Sequence, residues 1–562
     1  MGLMRFAAPL QGVALGDSLV QKALRPALFS SLLLLAAYLR MTGLAWGLNS
    51  GYGHDRNFQP DEFVSLRGVL QVDLPAGRIM APGAYFEGTF NYYLWAVPQA
   101  VLKLSGAKDA HLSGSISTKD HSDLLYVCRS MSVVFDLGTI IIVFLAIRDA
   151  TRHFYPSLLG ALCYAVLPMQ VIYAHFMRTH ILSNLLCALV IWLSLKIRQS
   201  QRWQLLLSVG LISGLGAATR YPVGIIVVIP CLYLLFNWRK QLPNWKSRAW
   251  ECAKDFFAGQ VWLIGLGFLM GLFLGHPMLF FNPSSVTKAI TGETLKYASL
   301  QEFSASQLLN LAVVWRYVTY LIPFAMYPLL WVVPYCAILY LIFRPYLYRI
   351  SVPILIFSLL YLYFMAKGVE PYVARVTMLL YPGFCVLVGM ACNDLQLRLR
   401  NNWAFAVVIT CAFILVLGPS VVFDMAYARA MQQKDARQVI RQDLQKAIGE
   451  ARATIGVWRY GPYFYTVMPA AKPLSSEKVA VQLQDSAGQN ADFFLVGFPS
   501  QIDPAQINGT VEQIEAQGKF RYERSYGVPV KIFGHEFSLV RFPLDMAYPF
   551  PTILLFRAKT PT

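Results

Sequence analysis

The chain is short of charge, and of acidic charge in particular. Only 14% of its 562 residues are charged, and 48 Lys and Arg residues outnumber 30 Asp and Glu residues. Hydrophobic residues make up 56% of the chain, against roughly 45–50% in soluble domains. This composition excludes an ordinary soluble enzyme and indicates a protein that crosses the membrane several times.

The excess of basic residues does not indicate a nucleic-acid partner. Although the net charge is +18, Lys and Arg occur in small clusters between apolar runs rather than on one polar face. Cysteine is absent after Cys411, which excludes a disulfide framework in the polar C-terminal part. The N-terminal residues lack a convincing cleavage site, so we expect the first apolar run to remain as an anchor.

About eleven apolar runs are long enough to cross a bilayer, since a helical crossing needs about 17–25 mostly apolar residues. The predicted fold is a polytopic α-helical membrane protein over residues 1–424, followed by a soluble α/β domain over residues 425–562. The latter opens with a charged amphipathic helix and continues with short strand-like runs such as TIGVW, VAVQL, DFFLVGF, VKIFGHEFSLVRF and TILLF. The predicted spans are centred on Leu33, Ile140, Ala165, Leu189, Leu211, Val227, Leu266, Trp331, Ser358, Val386 and Ile414.

The basic residues between the spans set the predicted orientation. With the N-terminus in the cytosol, every inward loop carries two or more Lys or Arg residues, as the positive-inside rule requires. The pattern holds only if Asn91–Ser105 does not cross the membrane, and its central Pro98 and its aromatic residues favour an interfacial helix. We therefore predict a large external loop over residues 48–124, and a multi-pass protein of a bacterial inner membrane with a periplasmic C-terminal domain.

Two adjacent carboxylates, Asp61 and Glu62, follow Pro60 at the start of this loop. Capping of a helix N-terminus alone would explain them. In order and position, however, they and four later stretches resemble the membrane glycosyltransferases that use polyprenyl-phosphate sugars. That group includes the dolichyl-phosphate-mannose protein mannosyltransferases and the lipid A aminoarabinose transferase. The four stretches are AYFEGTFNYYL from Ala84, LGAATRYP from Leu215, EPYVAR from Glu370 through Pro382, and YPFPTI from Tyr548.

The resemblance implies catalytic roles for three acidic residues of the loop. Asp61 would be the base that takes the acceptor's proton, and Glu62 would orient it or contact the acceptor. Glu87 would be a further functional acid, although a simple ion pair with Arg78 is an alternative. Transfer from a phosphate ester to a hydroxyl needs such a base, and positive charge to stabilise the departing phosphate.

Basic residues predicted on the external side are the candidates for that positive charge. Arg220 with Tyr221, and Arg375, rank first, because a guanidinium fork matches phosphate oxygens bidentately. Arg178, His180 and Lys367 follow. Snorkelling to lipid headgroups is the alternative for any single one of them.

A metal is not required by this pattern. Relatives carry an acid at the position that aligns with His180, and this chain does not. A divalent cation held by Asp61 and His180 stays an alternative to the absence of any cofactor.

Two motifs inside apolar runs are interpreted as structural. Asp136 is an intramembrane carboxylate, for which we expect a buried partner such as Arg129. The glycines at 267, 271 and 275 are four residues apart. The stretch looks like a nucleotide-binding loop, but its position inside an apolar run indicates a helix-packing face.

The sequence thus predicts an integral membrane glycosyltransferase that moves a monosaccharide from a polyprenyl (undecaprenyl or dolichyl) phosphate carrier to an external hydroxyl acceptor, with inversion. The expected partners are the lipid-linked donor, the acceptor and the bilayer. The alternative is a transporter or flippase of a lipid-linked saccharide, although the internal repeats typical of transporters are not found. An inactive lipid-binding scaffold is a third possibility.

Overall fold

A computed structural model gives the fold of most of the chain. It describes residues 19–48, 59–77, 85, 87–104, 118–197, 199–236, 260–299, 311–368, 373–399, 403–458, 471, 474–476, 478–484, 491–498 and 501–559. Within these ranges the chain is helical as far as residue 448, apart from turns and short connections, and mixed α/β beyond it.

The helices before the sheet fall into a loop region and a set of apolar segments. In chain order they are α1 (Leu19–Met41), α2 (Pro60–Leu70), α3 (Phe90–Leu104), α4 (Thr118–Thr151), α5 (Phe154–Ala165), α6 (Pro168–Ala174), α7 (Thr179–Ile197), α8 (Trp203–Thr219), α9 (Val228–Phe236), α10 (Val261–Gly275), α11 (Met278–Phe281), α12 (Pro283–Ser299), α13 (Leu311–Arg316), α14 (Ile322–Ala325), α15 (Val332–Ile342), α16 (Tyr348–Gly368), α17 (Tyr381–Arg398), α18 (Trp403–Ala430) and α19 (Ala436–Ile448). Short 3-10 segments at Tyr221–Val227, Pro345–Leu347 and Ala374–Leu380 precede α9, α16 and α17, and a π-helical turn at Tyr317–Leu321 joins α13 to α14.

The polytopic helical fold predicted from the sequence is confirmed. Among the described residues six helices are long and apolar enough to cross a membrane, and the pair α5 and α6, bent by 59°, would make a seventh crossing. Five shorter apolar segments accompany them. The prediction of one span centred on Trp331 is wrong, because Trp331 lies between two of the shorter segments, Leu311–Ala325 and Val332–Ile342.

The glycine motif forms a close contact between α8 and α10, as the spacing predicts. A Cβ atom added at Gly267 would lie 2.2 Å from the carbonyl oxygen of Leu207, and one at Gly271 would lie 2.0 Å from that of Leu211. Gly214 on α8 has the reciprocal relationship with the carbonyl of Phe268, at 2.0 Å. The two helix backbones therefore touch, which side chains at these positions would prevent.

The first loop builds a small core of its own above the spans. Helix α3 covers most of the segment predicted as an interfacial helix, and its Tyr92 and Trp95 are buried against Leu66 and Val69 of α2. The ring of Tyr92 packs directly on the backbone at Gly68. This packing fixes α2, and with it the Asp61–Glu62 pair, relative to the spans.

The C-terminal sheet has five strands in the order β2-β1-β3-β7-β4. Strands β2 and β3 run parallel to β1, whereas β7 is antiparallel to both β3 and β4. The elements are β1 (Ala453–Trp458), β2 (Val479–Gln484), β3 (Phe493–Phe498), α20 (Pro504–Glu515), β4 (Phe520–Tyr526), β5 (Val530–Ile532), β6 (His535–Phe537), α21 (Leu544–Ala547) and β7 (Thr552–Ala558). The predicted long strand VKIFGHEFSLVRF is instead a hairpin of β5 and β6, which turns at Phe533 and Gly534, both with positive φ.

The C-terminal region is not separate from the membrane domain. The predicted boundary at residue 425 falls inside α18, which continues to Ala430. Phe542 packs on Tyr327 and on Phe423 of α18, at ring-centroid distances of 4.7 and 5.6 Å. Hydrophobic residues between Val528 and Phe550 belong to the same buried core as the spans. This region can therefore place side chains beside the ends of the membrane helices that it contacts.

Candidate active site

Asp61 lies at the N-terminus of α2, where the chain caps the helix. The side-chain oxygen of Gln59 accepts hydrogen bonds from the backbone N–H groups of Asp61 and Glu62, at 2.6 and 3.1 Å, and Pro60 occupies the first helical turn. Capping is thus provided by Gln59. The Asp61 side chain is left for another partner.

That partner is arginine. Arg375, at the start of the 3-10 segment before α17, donates from Nη1 to Asp61 Oδ2 at 2.8 Å, and Arg178 Nη2 lies 3.9 Å from the same oxygen. Burial raises the pKa of the Asp61 carboxyl, but Arg375 and Arg178 together hold that pKa below its usual value. About a third of the side chain, 32%, is exposed. Asp61 is therefore an ionised carboxylate with access from outside.

Arg178 joins the two halves of the first loop. Its Nη1 donates to the backbone oxygen of Asp61 at 2.9 Å and to Ser65 Oγ at 3.1 Å, while Nη2 donates to Glu87 Oε1 at 2.8 Å. The partner of Glu87 is thus Arg178; Arg78, the alternative from the sequence, lies outside the described residues. The second oxygen of Glu87 is buried and has no hydrogen-bond partner in the part of the chain that the structure describes. Burial lowers the pKa of Arg178, but Glu87 and Asp61 outweigh this and raise it, so the guanidinium stays charged.

Arg220 and His180 complete the cationic side of the site. Arg220 follows the last residue of α8 and is partly exposed, and its side chain makes no hydrogen bond or ion pair with any described residue. His180, in the first turn of α7, is buried, and neither ring nitrogen has a hydrogen-bond partner among the described residues. Its ring meets Tyr173 edge-on at 5.2 Å, and the positive charges of Arg220, Arg178 and Arg375 all act on it. The charges of three guanidinium groups therefore act on one buried polar ring.

Glu62 is placed for only one of the two roles that the sequence suggested, the orientation of Asp61 rather than contact with the acceptor. It is fully buried, and Arg129 holds it through two hydrogen bonds, from Nε at 2.9 Å and from Nη2 at 2.6 Å. The backbone N–H of Met177 adds a third at 2.8 Å. The remaining Arg129 nitrogen donates to the carbonyls of Leu44 and Trp46. Glu62 therefore links the loop to Arg129 of α4, and its side chain is not exposed to an acceptor.

The expected buried partner of Asp136 is confirmed, but it is not Arg129, since Arg129 is bonded to Glu62. Asp136 instead pairs with Arg40 of α1, and it also accepts a hydrogen bond from the Tyr164 hydroxyl at 2.9 Å. Both charged groups are completely buried. The pair is a structural link between α1, α4 and α5.

Tyr221 anchors the loop rather than facing the arginines. Its hydroxyl donates to the backbone oxygen of Tyr85 at 2.5 Å and lies 2.8 Å from Nε2 of His276. The other ring nitrogen of His276 lies 3.1 Å from the hydroxyl of Thr89. Burial lowers the pKa of His276 to about 4, so its imidazole is neutral. His276 lies directly after the apolar helix α10, and no motif in the sequence pointed to it.

Two remaining site predictions are only partly covered. The backbone of Lys367 lies in α16, but its side chain is outside the described residues. Among the described residues no group of three His, Cys, Asp or Glu side chains is placed to hold a metal ion. Asp61 and His180 stay the residues that we would expect to approach a cation.

Comparison with known proteins gives one family. Residues 116–251 match the sequence model of the family described as dolichyl-phosphate-mannose-protein mannosyltransferase. This segment contains the LGAATRYP motif, so the resemblance predicted from the sequence is confirmed. No curated protein sequence matches the chain significantly.

Solved structures of two membrane enzymes are similar to this one at low identity. ArnT from Cupriavidus metallidurans, bound to undecaprenyl phosphate, is 13% identical, with a TM-score of 0.45 and coverage of 94% of this chain and 97% of that one. The oligosaccharyltransferase AglB from Archaeoglobus fulgidus, in complex with an inhibitory peptide and a dolichol-phosphate, is 14% identical, with a TM-score of 0.45 and coverage of 81% of this chain. The present chain spans 64% of the length of AglB. Over residues 116–251, this polytopic membrane protein thus resembles the dolichyl-phosphate-mannose-protein mannosyltransferases.

Proposed function

We propose that this chain is a membrane glycosyltransferase that moves a monosaccharide from a polyprenyl phosphate carrier, undecaprenyl or dolichyl, to a hydroxyl group of an external acceptor. The observation that carries the proposal is a partly exposed carboxylate, Asp61, beside Arg178 and Arg375. Arg220, whose side chain is paired with none of the described residues, acts on the same His180 ring as these two arginines. The family match of residues 116–251 supports transferase chemistry.

The proposed reaction is a single displacement. Asp61 accepts the proton of the acceptor hydroxyl while the acceptor oxygen forms a bond to the anomeric carbon of the sugar. The bond between that carbon and the phosphate oxygen breaks on the opposite face, and the polyprenyl phosphate leaves with the electron pair. Attack opposite the leaving group inverts the configuration at the anomeric carbon.

The two carboxylate oxygens of Asp61 have different surroundings, which suits one to holding Arg375 and the other to accepting the hydroxyl proton. Oδ2 accepts the hydrogen bond of Arg375, whereas Oδ1 accepts none from any described residue. Because the lowered pKa keeps the carboxylate ionised at neutral pH, Oδ1 can accept the hydroxyl proton without prior deprotonation. We assign Oδ1 to the acceptor.

The phosphate is assigned to the cationic side of the site. The guanidinium donors of Arg220 are bonded to none of the described residues, and a guanidinium binds phosphate oxygens in pairs. Arg375 already holds Asp61, so its role is shared between the base and the developing negative charge of the leaving phosphate. His180 would approach the phosphate as a further donor.

The proposal places the reaction on the external side of a bacterial inner membrane. Its basis is the distribution of basic residues between the spans, with Arg344 and Arg398 at the inward ends of their segments. The transfer as written uses no cofactor. Assays with EDTA and with added magnesium or manganese ions test that part.

The decisive experiment uses purified protein in nanodiscs, with synthetic polyprenyl-phosphate sugars and a panel of glycolipid, glycan and peptide acceptors. Mass spectrometry detects the product, and NMR of the anomeric proton gives its configuration. Asp61→Asn should lower turnover about 10²–10⁴-fold, the usual contribution of a general base, while Asp123→Asn, an exposed carboxylate on α4, should not.

Three outcomes would contradict the proposal. Retention of more than about a tenth of turnover in Asp61→Asn would remove Asp61 as the base. Movement of the intact lipid-linked sugar across liposomes without any glycosidic product would favour the flippase. Binding of the donor with neither transfer nor transport would leave an inactive scaffold.

A further inference from the structure

The C-terminal region contributes one carboxylate to the neighbourhood of Arg375. Asp545 lies in the short helix α21 and is only 7% exposed. Its Oδ1 accepts a hydrogen bond from the backbone N–H of Ala374 at 2.8 Å, and its Oδ2 accepts one from the backbone N–H of Arg375, also at 2.8 Å. One carboxylate thus holds the two residues that begin the segment before α17.

The same carboxylate reaches the Arg375 side chain through Tyr173. The Tyr173 hydroxyl donates to Asp545 Oδ2 at 3.3 Å and accepts a hydrogen bond from Arg375 Nη1 at 3.3 Å. Arg375 Nη1 is also the atom that holds Asp61. A continuous chain of contacts therefore runs from Asp545 through Tyr173 and Arg375 to Asp61.

Helix α21 is itself firmly held against the spans. The hydroxyl of Tyr427, on α18, donates to the backbone oxygen of Met546 at 2.7 Å, and the Tyr427 ring packs on Phe550 at 4.9 Å. Met546 and Ala547 are completely buried. Asp545 is therefore a fixed point to which the Arg375 backbone is attached.

From this geometry we propose that Asp545 is a positioning residue for Arg375, so that the C-terminal region forms part of the active site although it touches no reacting atom. The inference rests on the proposed function. Two hydrogen bonds from Asp545 fix the backbone at Ala374 and Arg375, and the Tyr173 hydroxyl restricts the position of the Arg375 guanidinium. The Arg375 guanidinium then meets Asp61 in one defined orientation, as a catalytic carboxylate requires.

The experiment compares Asp545→Asn with Asp492→Asn. Asp492 is a matched control, because it lies in the same C-terminal region and its carboxylate also accepts a backbone N–H, that of Thr454 at 2.7 Å. An asparagine at position 545 can accept only one of the two backbone hydrogen bonds without turning a donor toward the other. We expect kcat/KM for the donor to fall by about tenfold to a hundredfold in Asp545→Asn, and to stay unchanged in Asp492→Asn.

The pH profile separates positioning from a general loss of structure. The charged and titratable groups that act on Asp61 are Arg375, Arg178, Tyr173 and Tyr548, with Glu87 acting through Arg178. If Arg375 loses its support in Asp545→Asn, the acid limb of the kcat/KM profile should move to higher pH, because less positive charge then opposes protonation of Asp61. A variant that is merely less stable would have a lower kcat/KM at every pH, and the acid limb of its profile would stay in place.

A double variant provides the second check. Asp545→Asn added to Arg375→Ala should cause little further loss, because both changes remove the same contact with Asp61. Losses that multiply, or an Asp545→Asn enzyme with wild-type donor kinetics and pH profile, would overturn the inference. If Asp545→Asn does not fold, Tyr173→Phe is used instead, because it removes only the linking hydroxyl. The acid limb of its kcat/KM profile should move to higher pH by a smaller amount. An unmoved limb in Tyr173→Phe would overturn the inference.

Failure of the proposed function is recognised separately. If wild-type protein transfers no sugar from any donor in the panel, binding of undecaprenyl phosphate is measured on the wild type, on Asp545→Asn and on Asp492→Asn. Weaker binding in Asp545→Asn alone would retain the positioning role toward an anionic lipid. Equal binding in all three proteins would reject it.

Discussion

The carboxylate of Asp61 and the guanidinium of Arg375 meet at 2.8 Å across 314 positions of sequence. One residue opens the external loop and the other opens the segment that leads into α17. The backbone N–H of each residue is also hydrogen-bonded, that of Asp61 to the Gln59 side chain and that of Arg375 to the Asp545 carboxylate. The pair therefore links three parts of the chain at the site where we place the chemistry.

The first prediction concerns pH. Because the pKa of Asp61 is below its usual value in the folded protein, its ionised form favours folding at pH values above the unfolded pKa. That contribution is lost as the pH falls through the lower folded pKa. Transfer activity should therefore persist at mildly acidic pH. In Arg375→Ala the acid limb of kcat/KM should move to higher pH, whereas Arg524→Ala, which removes an exposed ion pair with Asp443, should leave the limb in place. An unmoved limb in Arg375→Ala would contradict this.

The second prediction concerns Arg220. Its replacement by Ala breaks no ion pair within the described structure, so we expect unchanged thermal stability. Donor use should weaken by about 1.5–3 kcal/mol, the range for hydrogen bonds to charged groups. Lys should restore part of this, because it supplies charge without the planar fork. The measurement is steady-state kinetics with donor and acceptor varied separately.

Helix α8 offers the control for Arg220. Arg202 precedes the first turn of this helix, and Arg220 follows its last. Arg202→Ala should leave both substrates unaffected. Equal losses for donor and acceptor in Arg220→Ala would show a general defect, and no loss for the donor would remove Arg220 from the site.

The spans and most strands were predictable from the sequence, because burial selects apolar residues in long or alternating runs. Strand β4 was not predicted, because Phe520–Tyr526 carries Arg521, Glu523 and Arg524 on an edge strand that exposes them. The end of α18 was also misjudged. Residues 425–430 look like the start of a polar helix, yet their Ala and Tyr side chains are buried against the C-terminal region.

The site was predictable only in part. The position of Asp61 followed from family resemblance, and the arginines followed from chemistry, but no local pattern specifies which arginine meets which carboxylate. Glu62 illustrates why. It is adjacent to Asp61 in sequence, yet one residue further along the helix its side chain is directed to Arg129 and buried, whereas that of Asp61 is partly exposed. Asp545 lies in a stretch without any chemical signature, and only the tertiary contact with residues 374 and 375 reveals it.

The third prediction tests the reassigned role of Glu62. Removing one member of a buried ion pair leaves the other charge uncompensated, at a cost of about 3–5 kcal/mol. Glu62→Gln should therefore lower the thermal midpoint markedly. The double change Glu62→Leu with Arg129→Met should recover part of the loss, but not all, because the carbonyls of Leu44 and Trp46 lose their donor. A Glu62→Gln protein that is as stable as the wild type but inactive would return Glu62 to the chemistry.

The last prediction concerns the contact between α8 and α10. At Gly271 a methyl group would lie 2.0 Å from the carbonyl oxygen of Leu211. Moving a backbone oxygen in a packed helix costs free energy, because the helix itself must shift. Gly271→Ala should destabilise the protein by about 1–3 kcal/mol, the usual cost of overpacking. Gly265 lies on the same helix with nothing within 4 Å of an added Cβ, so Gly265→Ala should be neutral. Stability is measured by thermal unfolding in one detergent. Because the 3-10 segment that carries Tyr221 follows α8 directly, loss of this packing should also reduce donor use in Gly271→Ala. Equal stability of the two variants would show that α8 and α10 do not pack through their glycines.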